Sequence, residues 1–270
     1  MVLDAAQRGF AAIALSLLLL VFAGCSVDIG GNLGQVTGSG TPVTKQYDST
    51  SFTGVRVDSA FQATVTRGDA FAVSVTVDDN LVEHLRVEVE GDTLHIGLDP
   101  GYGYRDTSLK ATVTMPSLTA LEASGAAKAA VSGFTSGDAL DLETSGAGQV
   151  TLTGVRAGQV TVDVSGAGAL LGELEAQELR GEVSGAGKVS LEGTATTLGL
   201  EASGAGKLEL SGMTVQDADL QLSGGAGASV RVTGTLNVDA SGGAKLEYYG
   251  SPTLGSMEVS GGAQVDRAGD

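Results

Sequence analysis

The sequence predicts an all-β protein folded as a right-handed, single-stranded β-helix, a β-solenoid with coils of ~19–20 residues. Three observations carry this. Ser-Gly followed by Ala or Gly recurs at Ser124, Ser145, Ser165, Ser184, Ser203, Ser223, Ser241 and Ser260, at intervals of 21, 20, 19, 19, 20, 18 and 19 residues. Apolar residues alternate with polar ones on both sides of each Ser-Gly. Glycine contributes 42 of 270 residues, far above the usual ~7%, and recurs in every one of these turns. A period this short cannot bury an apolar face within one repeat, so repeats must stack.

The chain begins with an apolar stretch, Phe10–Ala23, preceded by Arg8 and ending in Val21-Phe22-Ala23-Gly24-Cys25. It is shorter than the ~20 residues of a membrane span and has the layout of a secretory signal. Ala-Gly-Cys resembles a bacterial lipobox, in which the cysteine is acylated and becomes the mature N-terminus. Residues 1–24 are thus expected to be a lipoprotein signal peptide and Cys25 the lipidated residue. Several acyl chains, each CH₂ contributing ~0.8 kcal/mol, make such an anchor stable. Cys25 is the sole cysteine, so the fold must hold without disulfides. Residues 25–44 carry Gly30-Gly31 and Gly38-Ser39-Gly40-Thr41-Pro42 and read as a flexible Gly/Ser-rich tether.

Residues 45–118 alternate with period two at Val55/Val57, Phe61/Ala63/Val65, Val73/Val75/Val77, Leu85/Val87/Val89 and Leu94/Ile96/Leu98. They predict strands that form a cap or the first coils. The best helical candidate is one turn near Asn80–His84. From 119 to 270 the repeat dominates. Counting from each serine, positions −5, −3 and −1 are mostly apolar, as in Val160/Val162/Val164. Positions +5 and +7 repeat the pattern, as in Leu208/Leu210. Two strands flank a Gly-rich turn that requires positive φ or close coil-to-coil approach. Coils ~4.8 Å apart give a stack of roughly 40 Å.

The segments Phe52-Thr53-Gly54-Val55-Arg56-Val57, Ala60–Gly68 and Val73–Asn80, followed by many Leu-x-Leu-x-x-Ser-Gly-x-Gly units behind a lipobox, resemble the head GIN domain family of bacterial secreted lipoproteins, also called auto-transporter adhesins. The resemblance spans roughly 45–265. It implies a right-handed β-helix, and it brings no catalytic residues.

Net charge is −17, from 15 Lys and Arg against 32 Asp and Glu, which disfavours nucleic-acid partners. The most pointed pattern is position −2: Glu122, Glu143, Asp163, Glu182, Glu201, Gln221, Asp239 and Glu258. Alternation turns these outward into an acidic column. Position +4 supplies Lys128, Lys188, Lys207 and Lys245, placed to relieve it. Such a column is either a linear face for cations or basic partner groups, or a solvated face that keeps the solenoid soluble. Gly224–Ser229 resembles a Ca²⁺-binding nonapeptide but lacks its aspartate. Asp78-Asp79-Asn80 reads as a turn, and His84 and His95 as ordinary surface or half-buried histidines.

Tyr102 and Tyr104, in Gly101-Tyr102-Gly103-Tyr104-Arg105-Asp106, either present rings to a sugar or protein, or cover the solenoid. Tyr249, beside Tyr248, is a further contact candidate. No nucleophile–His–acid set or phosphate loop is visible, and no cofactor or metal is expected. The functional expectation is a non-enzymatic binding or adhesion module, held in the envelope by its lipid at the outer membrane or cell surface, with a glycan or surface protein as partner. The alternatives are a structural or assembly component of the envelope and, last, a carbohydrate-active β-helix enzyme.

Overall fold

A computed structural model describes residues 34–269. The signal peptide, Cys25 and the start of the tether lie outside the described residues. The described residues belong to one compact unit.

The first nine strands are β1 (Gly34–Thr37), β2 (Pro42–Tyr47), β3 (Gly54–Val57), β4 (Gln62–Arg67), β5 (Ala72–Asp78), β6 (Leu85–Glu90), β7 (Thr93–Leu98), β8 (Tyr102–Arg105) and β9 (Leu109–Met115). A 3₁₀ turn, Asp79–His84, stands where the sequence indicates its only helical turn, and buries Leu81. The repeat region adds β10 (Ala120–Ala123), β11 (Lys128–Ser132), β12 (Leu140–Thr144), β13 (Gln149–Val164), β14 (Ala169–Val183), β15 (Lys188–Ala202), β16 (Lys207–Leu222), β17 (Gly227–Val232), β18 (Thr235–Ala240), β19 (Lys245–Tyr249), β20 (Thr253–Val259) and β21 (Gln264–Gly269).

These strands stack as the parallel coils of a β-solenoid of about eight turns. One flank of each coil enters the Ser-Gly turn. It stacks β7, β3, β10, β12, the second half of β13, and so on to β18 and β20. The other flank leaves the turn. It stacks β9, β4, β11, the first half of β13, and so on to β19 and β21. A short third stretch closes the middle coils, where Val155, Leu174, Gly193 and Met213 lie in register.

Alternation decides what lies inside. Val162, Val164, Leu170, Leu198, Leu200 and Leu208 all point inward and are buried. Thr144 takes a position that is Ala or Val in neighbouring coils. It is 1% exposed, and its hydroxyl has no hydrogen-bond partner.

The turn explains the repeat. The residue at +3 donates to the serine carbonyl, as Gly148 N does to Ser145 O at 3.0 Å. The residue at +2 donates to the glycine carbonyl one coil earlier, as Ala147 N does to Gly125 O at 2.7 Å. That glycine has φ near the left-handed value, 65° at Gly146. A Cβ there would lie 2.9 Å from Gly125 O. Both conditions select glycine.

One further turn carries no Ser-Gly motif. Asp58-Ser59-Ala60-Phe61 stacks beneath the first repeat, with Ala126 N donating to Ser59 O at 2.6 Å. Ser59 holds the glycine position at φ 63°. Segment 45–118 therefore continues directly into the repeats through β3–β10 and β4–β11 pairing.

The tether expected over 25–44 ends sooner. β1 pairs parallel with β8, and β2 pairs antiparallel with β5. Val36 packs against the core, and the Asp78–Asn80 turn holds the linking loop. Ser39 Oγ donates to Asp79 Oδ1 at 2.5 Å, and Asn80 Nδ2 donates to Thr37 O at 2.9 Å. Local Gly and Ser content signals flexibility, but these long-range bonds override it.

The two ends differ. At the N-terminal end the outermost strand β2 carries Pro42 and places Lys45 opposite inward Val75. Proline and an inward-pointing charge both discourage strand addition. At the C-terminal end, Leu254 and Val259 are each 47% exposed.

Candidate functional site

The outward residues of each strand form columns, because parallel in-register pairing places equivalent positions one coil apart. The acidic column is continuous. Glu122 faces Glu143, which faces Asp163, then Glu182, Glu201, Gln221, Asp239 and Glu258. Above it the same column holds Arg56 and then His95. Arg56 Nε pairs with Glu122 Oε2 at 2.6 Å. The Glu143 carboxyl titrates above its ordinary range. Partial burial is the largest cause, and the flanking charges of Glu122 and Asp163 add to it against the pull of Arg56.

The lysines do not relieve this column. Lys188 and Lys207 sit across the turn and converge on Glu209 at 2.8 and 2.6 Å. With Ser190 Oγ donating as well, they hold the Glu209 carboxyl down at about 2. The turn separates positions −2 and +4 onto different flanks, so Lys finds a carboxylate on its own flank. Along the acidic flank, Gly199 lies between Arg180 and Asp219. A groove of ≈ 500 Å³ runs here, lined also by Glu178, Glu201 and Asp217. Among the described residues, no three His, Cys, Asp or Glu side chains are grouped to hold a metal ion.

The tyrosines meet at the N-terminal end. Tyr102 and Tyr104 alternate on β8 with their rings 6.1 Å apart. The His84 ring lies 4.7 Å from Tyr102 and 5.8 Å from Tyr104. Both tyrosines are half-buried. Tyr104 donates its hydroxyl to Asp99 O at 2.9 Å. Burial, then the charge of Asp99, pushes its phenol up to about 12. Arg86 Nε pairs with Asp99 Oδ1 at 2.6 Å and holds that carboxyl below its ordinary range. The cluster thus offers two aromatic rings, an imidazole and an Arg–Asp pair over a small area. Its full extent is not legible in the sequence, because His84 and Arg86 reach it through the chain reversal between β6 and β7. Tyr249 lies at the opposite end, with the Arg231 guanidinium 5.4 Å from its ring centroid, while Tyr248 packs on the core.

A second histidine pair involves His95, whose Nε2 lies 2.7 Å from Asp58 Oδ2. Ser59 Oγ donates to the other oxygen of Asp58 at 2.7 Å. The aspartate stands between serine and histidine, so the histidine has no contact through which to deprotonate the serine.

The profile of the family described as "Putative auto-transporter adhesin, head GIN domain" matches residues 51–172 and 155–252. No curated protein matches the sequence. Among solved structures, a "putative lipid binding protein" from Parabacteroides distasonis aligns with TM-score 0.80 at 20% identity, covering 87% of this chain and 99% of that one. A "putative adhesin" from Parabacteroides merdae aligns with TM-score 0.80 at 21% identity, with the same coverage. A "putative adhesin" from Parabacteroides distasonis aligns with TM-score 0.79 at 22% identity, covering 86% and 99%. At these identities the likeness is one of fold.

Proposed function

The chain belongs to the family described as "Putative auto-transporter adhesin, head GIN domain", and we propose that it is a non-catalytic adhesion module of the cell envelope, lipid-anchored through Cys25 and displayed at the outer membrane or cell surface. The observation that carries this reading is the columnar surface. Eight coils hold outward side chains in rigid register over a continuous sheet, an arrangement suited to engaging an extended partner. Repeat proteins bind through such stacked faces. The names of the similar solved proteins, adhesin and lipid-binding protein, support a binding role.

The contact site we assign is the Tyr102–Tyr104–His84 cluster with the Arg86–Asp99 pair. Ring faces stack on the apolar faces of sugars or on partner side chains, and the ion pair supplies directional hydrogen bonds. The test is binding of the purified protein to envelope and host-surface glycans and to intact cells. Selective binding lost in Tyr102→Ala is the expected result. Tyr104→Ala is the weaker probe, because its hydroxyl also holds Asp99 O. Binding that persists in Tyr102→Ala refutes the site, and a protein that binds neither glycan nor cell refutes the adhesion reading. Lipidation is tested separately: Cys25→Ala should release the protein from the membrane fraction.

One observation favours a second reading, an assembly component. The last coil exposes Leu254 and Val259 on β20 itself, which with β21 ends the stack of described strands. Self-association lost in Leu254→Asp would support assembly through this end.

A further inference from the structure

The flank that leaves the Ser-Gly turn carries, at its N-terminal end, a surface unlike the rest of the molecule. Strands β9, β4, β11 and β13 lie side by side and parallel. Their outward residues form two adjacent columns. One reads Thr112, Thr64, Ala130, Thr151 and the next Thr114, Thr66, Ser132, Thr153. Seven of these eight positions carry a hydroxyl. The hydroxyl surface continues outward, with Ser74 opposite Thr112 and Thr44 Oγ1 2.8 Å from Thr76 Oγ1.

Every one of the eight is at least partly exposed. Their alternating neighbours Ala63, Val65, Ala111, Val113, Ala129 and Val131 are buried, which pins the sheet from beneath. Thr66 and Thr114 hydroxyls lie 3.4 Å apart, inside the ~4.8 Å strand spacing, so this one pair leans together. Threonine adds its own rigidity, because β-branching restricts χ1. The two columns carry no charge over these four strands, in a chain of net charge −17. Farther along, the first column passes through Leu171 and Ser190 to Glu209, so the exclusion of charge is local. The adjacent column, Lys110, Gln62, Lys128, Gln149, borders the array on one side.

We propose that this hydroxyl array is a binding face for ice. Strand spacing sets one repeat at roughly 4.8 Å, and alternate residues along a strand set the other at roughly 6.7 Å. These two repeats are of the same order as the oxygen spacings on a prism face of ice. A lattice of two dimensions specifies a crystal surface, whereas a single glycan chain needs contacts along one line only.

The chemistry points the same way. A soluble ligand must displace water from these hydroxyls, and a neutral hydrogen bond exchanged for one to water gains little. The array has no aromatic ring for stacking and no charge for stronger hydrogen bonds. When the ligand is solid water, the hydration layer of the array joins the lattice and is not displaced. The methyl groups between the hydroxyls keep that layer ordered at low cost. The Tyr102 cluster proposed for adhesion lies elsewhere, so either site can fail without the other.

The experiment is thermal hysteresis and ice-crystal shaping by the full chain, beside Thr64→Tyr and Thr66→Val variants and a Thr161→Tyr control on the other flank. Thr161 is exposed, so all three substitutions replace outward side chains, and circular dichroism verifies the fold. The expected result is faceted crystals and a hysteresis gap with the native chain and the control, abolished in Thr64→Tyr and reduced in Thr66→Val. Absence of both effects with the native chain at its highest soluble concentration overturns the proposal. Equal hysteresis in Thr64→Tyr overturns the site. Binding of soluble polysaccharide that is lost in Thr64→Tyr, without hysteresis, overturns ice in favour of a glycan.

Discussion

Replacing Gly185 by alanine should destabilise the protein by about 2–3 kcal/mol, the left-handed backbone supplying most of that and a displaced coil-to-coil bond the rest. Gly185 sits at φ 71°, where an L side chain costs roughly 1–2 kcal/mol. Its new Cβ would stand 2.7 Å from Gly166 O. That same oxygen accepts the bond from Ala186 N at 2.7 Å, so relief of the contact must stretch the bond, a loss of about 1 kcal/mol. For a protein of this size the melting temperature should fall by about 4–12 °C. Gly227→Ala is the matched control. A Cβ at Gly227 meets nothing within 4 Å, and its φ is not positive. It should be neutral or stabilise by up to about 1 kcal/mol through lost freedom of the unfolded chain. Thermal and urea denaturation of both variants measures the difference. Equal effects, or a loss at Gly185 below about 0.5 kcal/mol, would refute the account of the turn as a column selected for glycine by φ and by close approach.

Three further outcomes follow from the interior and the outer columns. Thr144→Val should stabilise by about 1 kcal/mol in denaturation, because it removes a buried hydroxyl that has no partner while keeping the shape. Glu209, held at about 2 against an ordinary 4.5, has a depressed folded-state value. Its contribution is present above pH 4.5 and is lost as pH falls towards 2. Surface exposure limits it to about 1 kcal/mol, and Glu209→Gln should flatten that part of the stability-against-pH curve, as should high salt. NMR titration of Glu143 should give a midpoint above the ordinary glutamate range, and Arg56→Ala should raise it further, since Arg56 opposes the repulsion from Glu122 and Asp163.

Local signals determined the architecture. Period-two alternation states which side chains face inward, and a repeated Ser-Gly-x-x turn sets the coil length, since both are properties of a few adjacent residues. The acidic column was legible for the same reason: equal spacing from each turn becomes equal position in the stack. Even the turn at Asp58–Phe61 left a trace, because Val55/Val57 and Ala63/Val65 flank it as apolar pairs flank most of the Ser-Gly turns. Only the tertiary structure decided the contacts that span many residues. It turned Gly34–Thr37 and Pro42–Tyr47 from expected tether into strands, because Tyr102–Arg105 and Ala72–Asp78 offered open edges. It sent Lys188 and Lys207 to Glu209 and not to the acidic column, because the turn places the two flanks on different sides of the coil. It brought His84 and Arg86 to the tyrosines. It also assembled the threonines of β9, β4, β11 and β13 into one array, although β9 follows β4 by more than forty residues in the chain and no repeat of the sequence links them. Alternation assigns a side chain to a face, but the pairing of distant strands chooses its neighbours on that face.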